Sequence, residues 1–315
     1  MAQQSQPLRA EDLHVSPGRA RTQRILRSLF FVAATLAIFI SLGIILSLLN
    51  ESIAFITNVD LASLVNGIWE PRSLRFDIPT LIAGSFVIAI IGMFIAAPLG
   101  LGAAIYLAEY ASPRLRGWLK PILEILASIP SVVLGFFALS VLSPTLIDPI
   151  CPGPTIPFNM LSAGVAVGIL ITPLVASIAE DALYAVPSSL REASYGLGAR
   201  KRTTTLRVVF PAAVSGIVAA LIIGLSRAVG ETMIVSIAAG GTGGAAFNIN
   251  PCLPGQTMTA AMVSLAIGSD QSRAGEVNLP YESLFFVGLL LFGMTLVLNL
   301  VSESYVRRAR RKGAM

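Results

Sequence analysis

Charge is scarce in this chain of 315 residues: 12% of them are Asp, Glu, Lys or Arg, where a soluble globular domain carries about 25%. Histidine is reduced to His14, in a polar N-terminal arm ahead of any apolar run, so no buried imidazole is at hand for acid/base or nucleophilic catalysis. The two cysteines, Cys151 and Cys252, are too few for a disulfide scaffold and have no histidine at ligand spacing, which argues against redox and metal chemistry. No Gly-x-x-x-x-Gly-Lys-Ser/Thr run occurs, so nothing here cradles the phosphates of a nucleotide. The expectation is a protein with no cofactor and no metal, and not an enzyme.

What fills the chain instead is apolar: 55% of the residues are hydrophobic, and that balance belongs to a membrane protein. Runs at 25–49, 78–108, 122–146, 160–179, 212–239 and 284–301 each have about the 20 residues that cross a bilayer. Lipid offers no partner to backbone N–H and C=O groups, and the period-two alternation of a membrane barrel is missing, so each run must be helical. The expected fold class is an all-α membrane protein of six transmembrane helices, with a polar arm over 1–24, the membrane domain over 25–306 and a basic tail over 307–315. The run 25–49 is too long for a signal-peptide core and has no small-residue cleavage site after it, so it is expected to stay in the mature protein.

The net charge of +5 could suggest nucleic acid, but the basic residues sit beside the apolar runs and not on a soluble basic face. With the N terminus inside, one side collects Arg9, Arg19, Arg21, Arg24 and Arg27, then Arg114, Arg116 and Lys120, then Arg191, Arg200, Lys201, Arg202 and Arg207, then Arg307, Arg308, Arg310, Arg311 and Lys312. The other side has Arg72, Arg75 and Arg273. That asymmetry predicts cytoplasmic N and C termini. The connections 51–77 and 240–281 then face outward, and 181–211 faces the cytoplasm. Within the second outer connection, 258–267 is apolar but too short to cross, so it lies at the interface or re-enters the bundle. Cys151 and Cys252 both fall on outward loops, where a disulfide between them and two separate thiols are both open readings.

The inner loop holds two short helical patterns, 188–195 and 201–209, around a bend at Gly196 and Gly198. Ser188 or Ser189 is placed to cap the first of them. Glu192, Ala193 and Ser194, followed by Gly198 and by Phe210-Pro211, resemble the EAA motif of binding-protein-dependent ABC importer permeases. Ser194 stands where a second alanine is usual and Phe210 where a leucine is usual; both keep size or apolarity. The resemblance implies a six-helix type I (MetI-like) permease bundle whose inner loop forms a coupling helix that docks on a cytoplasmic ATPase. Pro98-Leu-Gly-Leu-Gly-Ala-Ala-Ile-Tyr-Leu-Ala-Glu-Tyr110, the stretch 119–137 and Gly224-Leu-Ser-Arg-Ala-Val-Gly-Glu-Thr-Met233 are similar to phosphate importer permeases, in the PstC-type form. The partners that this likeness implies are a second, PstA-type permease, two copies of a PstB-type ATPase, a PstS-type extracytoplasmic phosphate-binding protein and the lipid bilayer, with no nucleic acid. It implies the plasma membrane of a bacterium or archaeon.

Arg227 lies inside an apolar run, where an arginine at a helix centre costs about 2.5 to 3.5 kcal/mol, so it must face a partner or a watery cavity. Glu231, four residues on, can neutralise it, although Arg before Glu is the weaker order for such a pair on a helix. Ala220, Gly224 and Ala228 form a small-residue stripe beside that face. The resemblance associates an arginine and a glutamate at these positions with transport, so Arg227 and Glu231 are expected in an anion path; an interhelical salt bridge without anion contact is the plainer alternative. Glu124, Pro130 and Ser131 in the third run are candidates for gating or for structural pairing, with a kink expected at Pro130. Glu180 and Asp181 at the end of the fourth run, and Glu282 at the start of the sixth, are expected to be solvated. Rival readings are a permease for sulfate or molybdate, an ATPase-independent transporter or channel, and an intramembrane enzyme.

Overall fold

The computed structural model describes residues 17–151, 157–240, 244–268 and 278–313, with side chains described for 23–307 of these; Arg9, His14, Pro152 and Arg273 lie outside the described residues. The first helix, α1 (Pro17–Asn58), runs 42 residues without a break, and Pro17 at its first position needs no N–H there. The chain up to Asn50 is one compact unit and the chain from Glu51 onward is a second.

In the second unit, Asp77 starts α2 (Ile78–Ile105). Its buried carboxylate accepts from the N–H and hydroxyl of Thr80 at 2.9 and 2.6 Å and from the N–H of Gly67 at 2.9 Å, so one side chain caps the helix and pins the preceding loop. α2 closes in a π-helical turn, Tyr106–Tyr110. It packs along α5 (Met160–Tyr184). On α2 the residues Gly84, Gly92, Ala96, Gly100 and Ala104, spaced in fours and eights, are buried. On α5, Gly164 and Gly168 lie against Gly92, and a Cβ at Gly168 would come within 2.8 Å of the Gly92 carbonyl oxygen; Gly100 meets Val175 of α5, while Gly84 lies against the backbone of Gln256. Where lipid is as apolar as leucine, such close backbone approach is what holds helices together.

The third apolar run, expected as a single crossing over 122–146, is divided. α3 (Pro113–Ala127) and α4 (Ser131–Phe137), which continues as a π-helical segment to Ile147, meet at 80°. The cause is Pro130: it excludes Ile129 from helical geometry and has no N–H to give, while the Ser128 hydroxyl turns back onto the Ile125 carbonyl at 2.6 Å. The fifth run, expected over 212–239, is interrupted as well. α8 (Phe210–Val229) ends at Gly230, and the chain restarts as α9 (Met233–Ala238). Among the described residues, five helices are long and apolar enough to cross a membrane, and the bent α3 and α4 pair makes a sixth when taken as one span.

The two ends of the second unit are built differently. At one end, β1 (Ile68–Glu70), β2 (Arg75–Phe76) and β3 (Ala245–Ala246) form a small antiparallel sheet in the order β2-β1-β3. This sheet joins the connections 51–77 and 240–281, for which the sequence predicted no strand. Trp69, Phe76 and Phe55 are fully buried beneath it and stack edge to face. Cys151 and Cys252 are joined there in a disulfide. Beside it α10 (Met258–Ala266) is sunk into the unit, with Met258, Ala261 and Leu265 buried against the same cluster. At the other end the inner loop forms α6 (Ser188–Gly196) and α7 (Lys201–Thr204), which runs through a π-helical turn into α8. α6 begins at Ser188 itself, so Pro187 is the cap position and no side chain caps the helix; the serine cap expected from sequence is not made. α11 (Leu279–Gly313) closes the chain.

Candidate functional site

The break between α8 and α9 sets the charged pair. The fourth residue after Arg227 lies beyond the helix end, and its N–H bonds the Ala228 carbonyl at 3.2 Å, which turns Glu231 back under the last turn. Arg227 Nη1 donates to Glu231 Oε2 at 2.8 Å, with the Glu231 side chain 3% exposed and that of Arg227 49% exposed. The carboxylate is therefore sunk in protein while the cation reaches out of the chain. Thr259, on α10, donates its hydroxyl to the Glu231 carbonyl at 2.7 Å, and Ser85 on α2 accepts the Met258 N–H at 3.0 Å. The short helix α10 is thus a brace between the break and α2. A groove of about 330 Å³ opens beside it, lined by Gly230, Thr232, Thr259, Met262 and Leu284 among others. Ala220, Gly224 and Ala228 are buried, and a Cβ at Gly224 would meet Val175 on α5 at 2.8 Å.

The inner loop is a bent protrusion. Gly198 adopts φ +78° with open space around it, a backbone state that costs a residue with a Cβ. The Ser194 and Thr204 hydroxyls meet at 2.9 Å and hold α6 to α7. Glu192, Ala193 and Pro211 are exposed, and Ser194 is half-buried. Leu197, at the tip, is 90% exposed beside exposed Leu190 and Tyr195, an apolar surface that the sequence reading did not single out; a leucine between Gly196 and Gly198, in the bend itself, was the signal for it.

Two further ion-pair groups stand at this end. Glu109, buried at the foot of α2, accepts from Arg191 Nε and Nη2 at 3.0 and 2.8 Å. Glu180, expected to be solvated, is fully buried instead: Arg116 and Lys120 from α3 both pair with it, Lys120 at 2.8 Å. Lys120 also reaches Asp181 at 2.6 Å, and the Arg116 guanidinium lies 3.8 Å from the Tyr184 ring centroid. The bend at Pro130 is what turns α3 so that its two cations meet α5. Glu124, one turn further toward the C-terminal end of α3, is exposed and makes no ion pair among the described residues. Pro130 and Ser131 form the corner itself. The structure therefore brings Arg227 to Glu231 and gathers Glu192, Ala193, Ser194 and Gly198 in one protrusion, and it leaves Glu124 apart from both.

This chain belongs to the family of binding-protein-dependent transport system inner membrane components, whose model matches residues 96–312, and its fold is that of a multi-pass type I ABC importer permease, MetI-like. Among relatives, it is 31% identical over 276 residues to the Bacillus subtilis protein named "Probable ABC transporter permease protein YqgH", covering 87% of this chain and 85% of that one. It is also 31% identical over 313 residues to the phosphate transport system permease protein PstC of Mesorhizobium japonicum, covering 94% and 93%. In solved structures, a chain of a bacterial alginate ABC transporter, in complex with a periplasmic protein carrying alginate pentasaccharide, superposes with a TM-score of 0.61 at 15% identity over 91% of this chain and 96% of that one. A chain of the inward-facing MetNI methionine ABC transporter gives 0.53 at 20% identity over 79% and 97%.

Proposed function

We propose that this chain is a membrane permease subunit of an ATP-driven inorganic phosphate importer, in which it forms half of the translocation pathway. The observation that carries the reading is the Arg227 and Glu231 pair, with its anion buried and its cation half exposed at a helix break. A half-exposed guanidinium offers charge-assisted hydrogen bonds to an oxyanion, and the sunk carboxylate offsets part of that charge so that the anion is not trapped. The likeness to PstC permeases over nearly the whole chain supports phosphate among the oxyanions.

In this reading the sheet and disulfide end faces outward and receives a PstS-type phosphate-binding protein, while both termini and α6 lie in the cytoplasm. Two PstB-type ATPase subunits engage α6 of this chain and the matching element of a PstA-type partner permease. Glu192 supplies charge to a basic rim, Leu197 and Tyr195 supply apolar contact, and Ala193 permits close approach. Closure of the ATPases on ATP shifts α6 and favours one of two bundle states, so access alternates between the two sides.

The test is uptake of labelled phosphate and of labelled sulfate in a deletion strain that carries the chain, with and without Glu192→Lys. Phosphate uptake that is lost in Glu192→Lys, together with co-purification of an ATPase that is lost in the same variant, is the expected result. Uptake of sulfate in preference to phosphate overturns the substrate, and uptake that survives Glu192→Lys and depletion of ATP overturns the mechanism.

A further inference from the structure

Arg191 makes more contacts than an ion pair requires. Its guanidinium donates through Nε and Nη2 to Glu109 Oε1, through Nη1 to the Val186 carbonyl at 2.6 Å, and through Nη2 to the Leu183 carbonyl at 2.9 Å. One side chain of α6 thereby grips the last turn of α5 at Leu183, the chain just past it at Val186, and the closing turn of α2. The Glu109 side chain is 3% exposed and that of Arg191 is 19% exposed.

A buried pair of this kind is a weak source of stability, because desolvation offsets the attraction and an apolar pair of similar volume would hold the elements as well. What a guanidinium adds is a rigid planar fork with fixed directions. The α5 and α2 helices that it grips are the two whose backbones approach most closely along their length, through Gly92, Gly164 and Gly168. The same end of α5 carries Glu180, which Arg116 and Lys120 hold to α3, and α3 leads through the bend at Pro130 to α4. A displacement of α6 is therefore delivered at once to α5 and α2, and through α5 to α3 and α4. Arg191 stands immediately before Glu192, so the residue facing the ATPase and the residue gripping the bundle are neighbours on one short helix.

We infer that Arg191, latched to Glu109 and to the Leu183 and Val186 carbonyls at the end of α5, is the positioning residue that transmits movement of α6 into the membrane bundle. This rests on the reading of the chain as an ATPase-coupled permease, and it is independent of which anion is carried.

The experiment uses the complete transporter in proteoliposomes, with Glu109→Gln and Arg191→Gln in this chain. The readouts are ATPase co-purification, basal ATP hydrolysis, stimulation of hydrolysis by phosphate-loaded binding protein, and phosphate moved per ATP. Co-purification and basal hydrolysis are expected to stay at the wild-type level, because Glu192, Leu197 and the docking face are untouched. Stimulation and phosphate per ATP are expected to fall ~2- to 30-fold, the span of couplings that such intermediates carry. Wild-type stimulation in either assembled variant overturns the latch. If the neutral variants fail to assemble, Arg191→Lys decides: it keeps a cation opposite Glu109 but replaces the planar fork, whose separate nitrogens reach Glu109 and the two carbonyls, with one freely rotating ammonium on a flexible stem. Reduced stimulation in Arg191→Lys supports the inference and wild-type stimulation overturns it. Should the wild-type complex be stimulated without moving phosphate, the substrate reading fails, and the stimulation of the variants still decides the latch.

Discussion

At the scale of single residues, Arg227 decides most. Its side chain is half exposed while that of Glu231 is buried, so any substitute at 227 must still offer the carboxylate a hydrogen bond, and the amide of a glutamine does so. Arg227→Gln is therefore expected to assemble normally and to lose phosphate uptake, and normal uptake by an assembled complex would remove the residue from the path. Glu231→Gln behaves differently. It keeps the backbone carbonyl that accepts from Thr259 and loses the charge that offsets the guanidinium, so the anion should bind at least as well and leave more slowly. The expected result is a lowered maximal uptake rate with unchanged assembly, measured beside Arg227→Gln in one preparation. Arg227 and Glu231 were legible in the sequence because an ionisable residue inside an apolar run stands out by cost alone. Glu109 was harder to see: it sits at the edge of its run, its partner lies 82 positions away, and no local pattern joins them.

Elements carry the next set of consequences. Gly168 on α5 has no room for a side chain, since a Cβ would stand 2.8 Å from the Gly92 carbonyl oxygen and 2.9 Å from Ile95. Gly168→Val is expected to force α2 and α5 apart at a cost of about 1 to 3 kcal/mol, read as a lower thermal midpoint of the purified complex. Gly198 is the opposite case: the space around it is open and the constraint is its φ of +78°. Gly198→Ala should cost about 1 to 2 kcal/mol in the turn alone, leaving the bundle intact while weakening ATPase co-purification. The apolar runs announced helices because only helices satisfy their backbone in lipid, and Gly198 announced a turn. The interruption at Gly230 stayed hidden, as a lone glycine among apolar residues does not distinguish a helix that passes through from one that stops. The three strands stayed hidden too, because two or three residues are too few to show alternation.

On the scale of the whole molecule, the basic residues predict a sidedness, and the disulfide gives a direct way to test it. If the disulfide end faces outward, a membrane-impermeant reductant followed by an impermeant maleimide should label Cys151 and Cys252 in intact spheroplasts; labelling that requires permeabilised membranes would reverse the orientation. The sequence allowed either a bonded pair or two thiols, since distance across 101 positions is not a local property.

That bond also makes the middle of the molecule a closed ring of covalent chain from position 151 to position 252, and the protrusion of α6 and α7 belongs to the ring. Arg200, Lys201 and Arg202 lie exposed on it. If this loop faces the cytoplasm, trypsin added to inverted vesicles should cut there without parting the two halves, whatever it trims from the basic arm and tail: the nicked polypeptide would migrate as one piece without reductant and as two pieces with it, a fracture on one face of the bilayer mended by sulfur on the other.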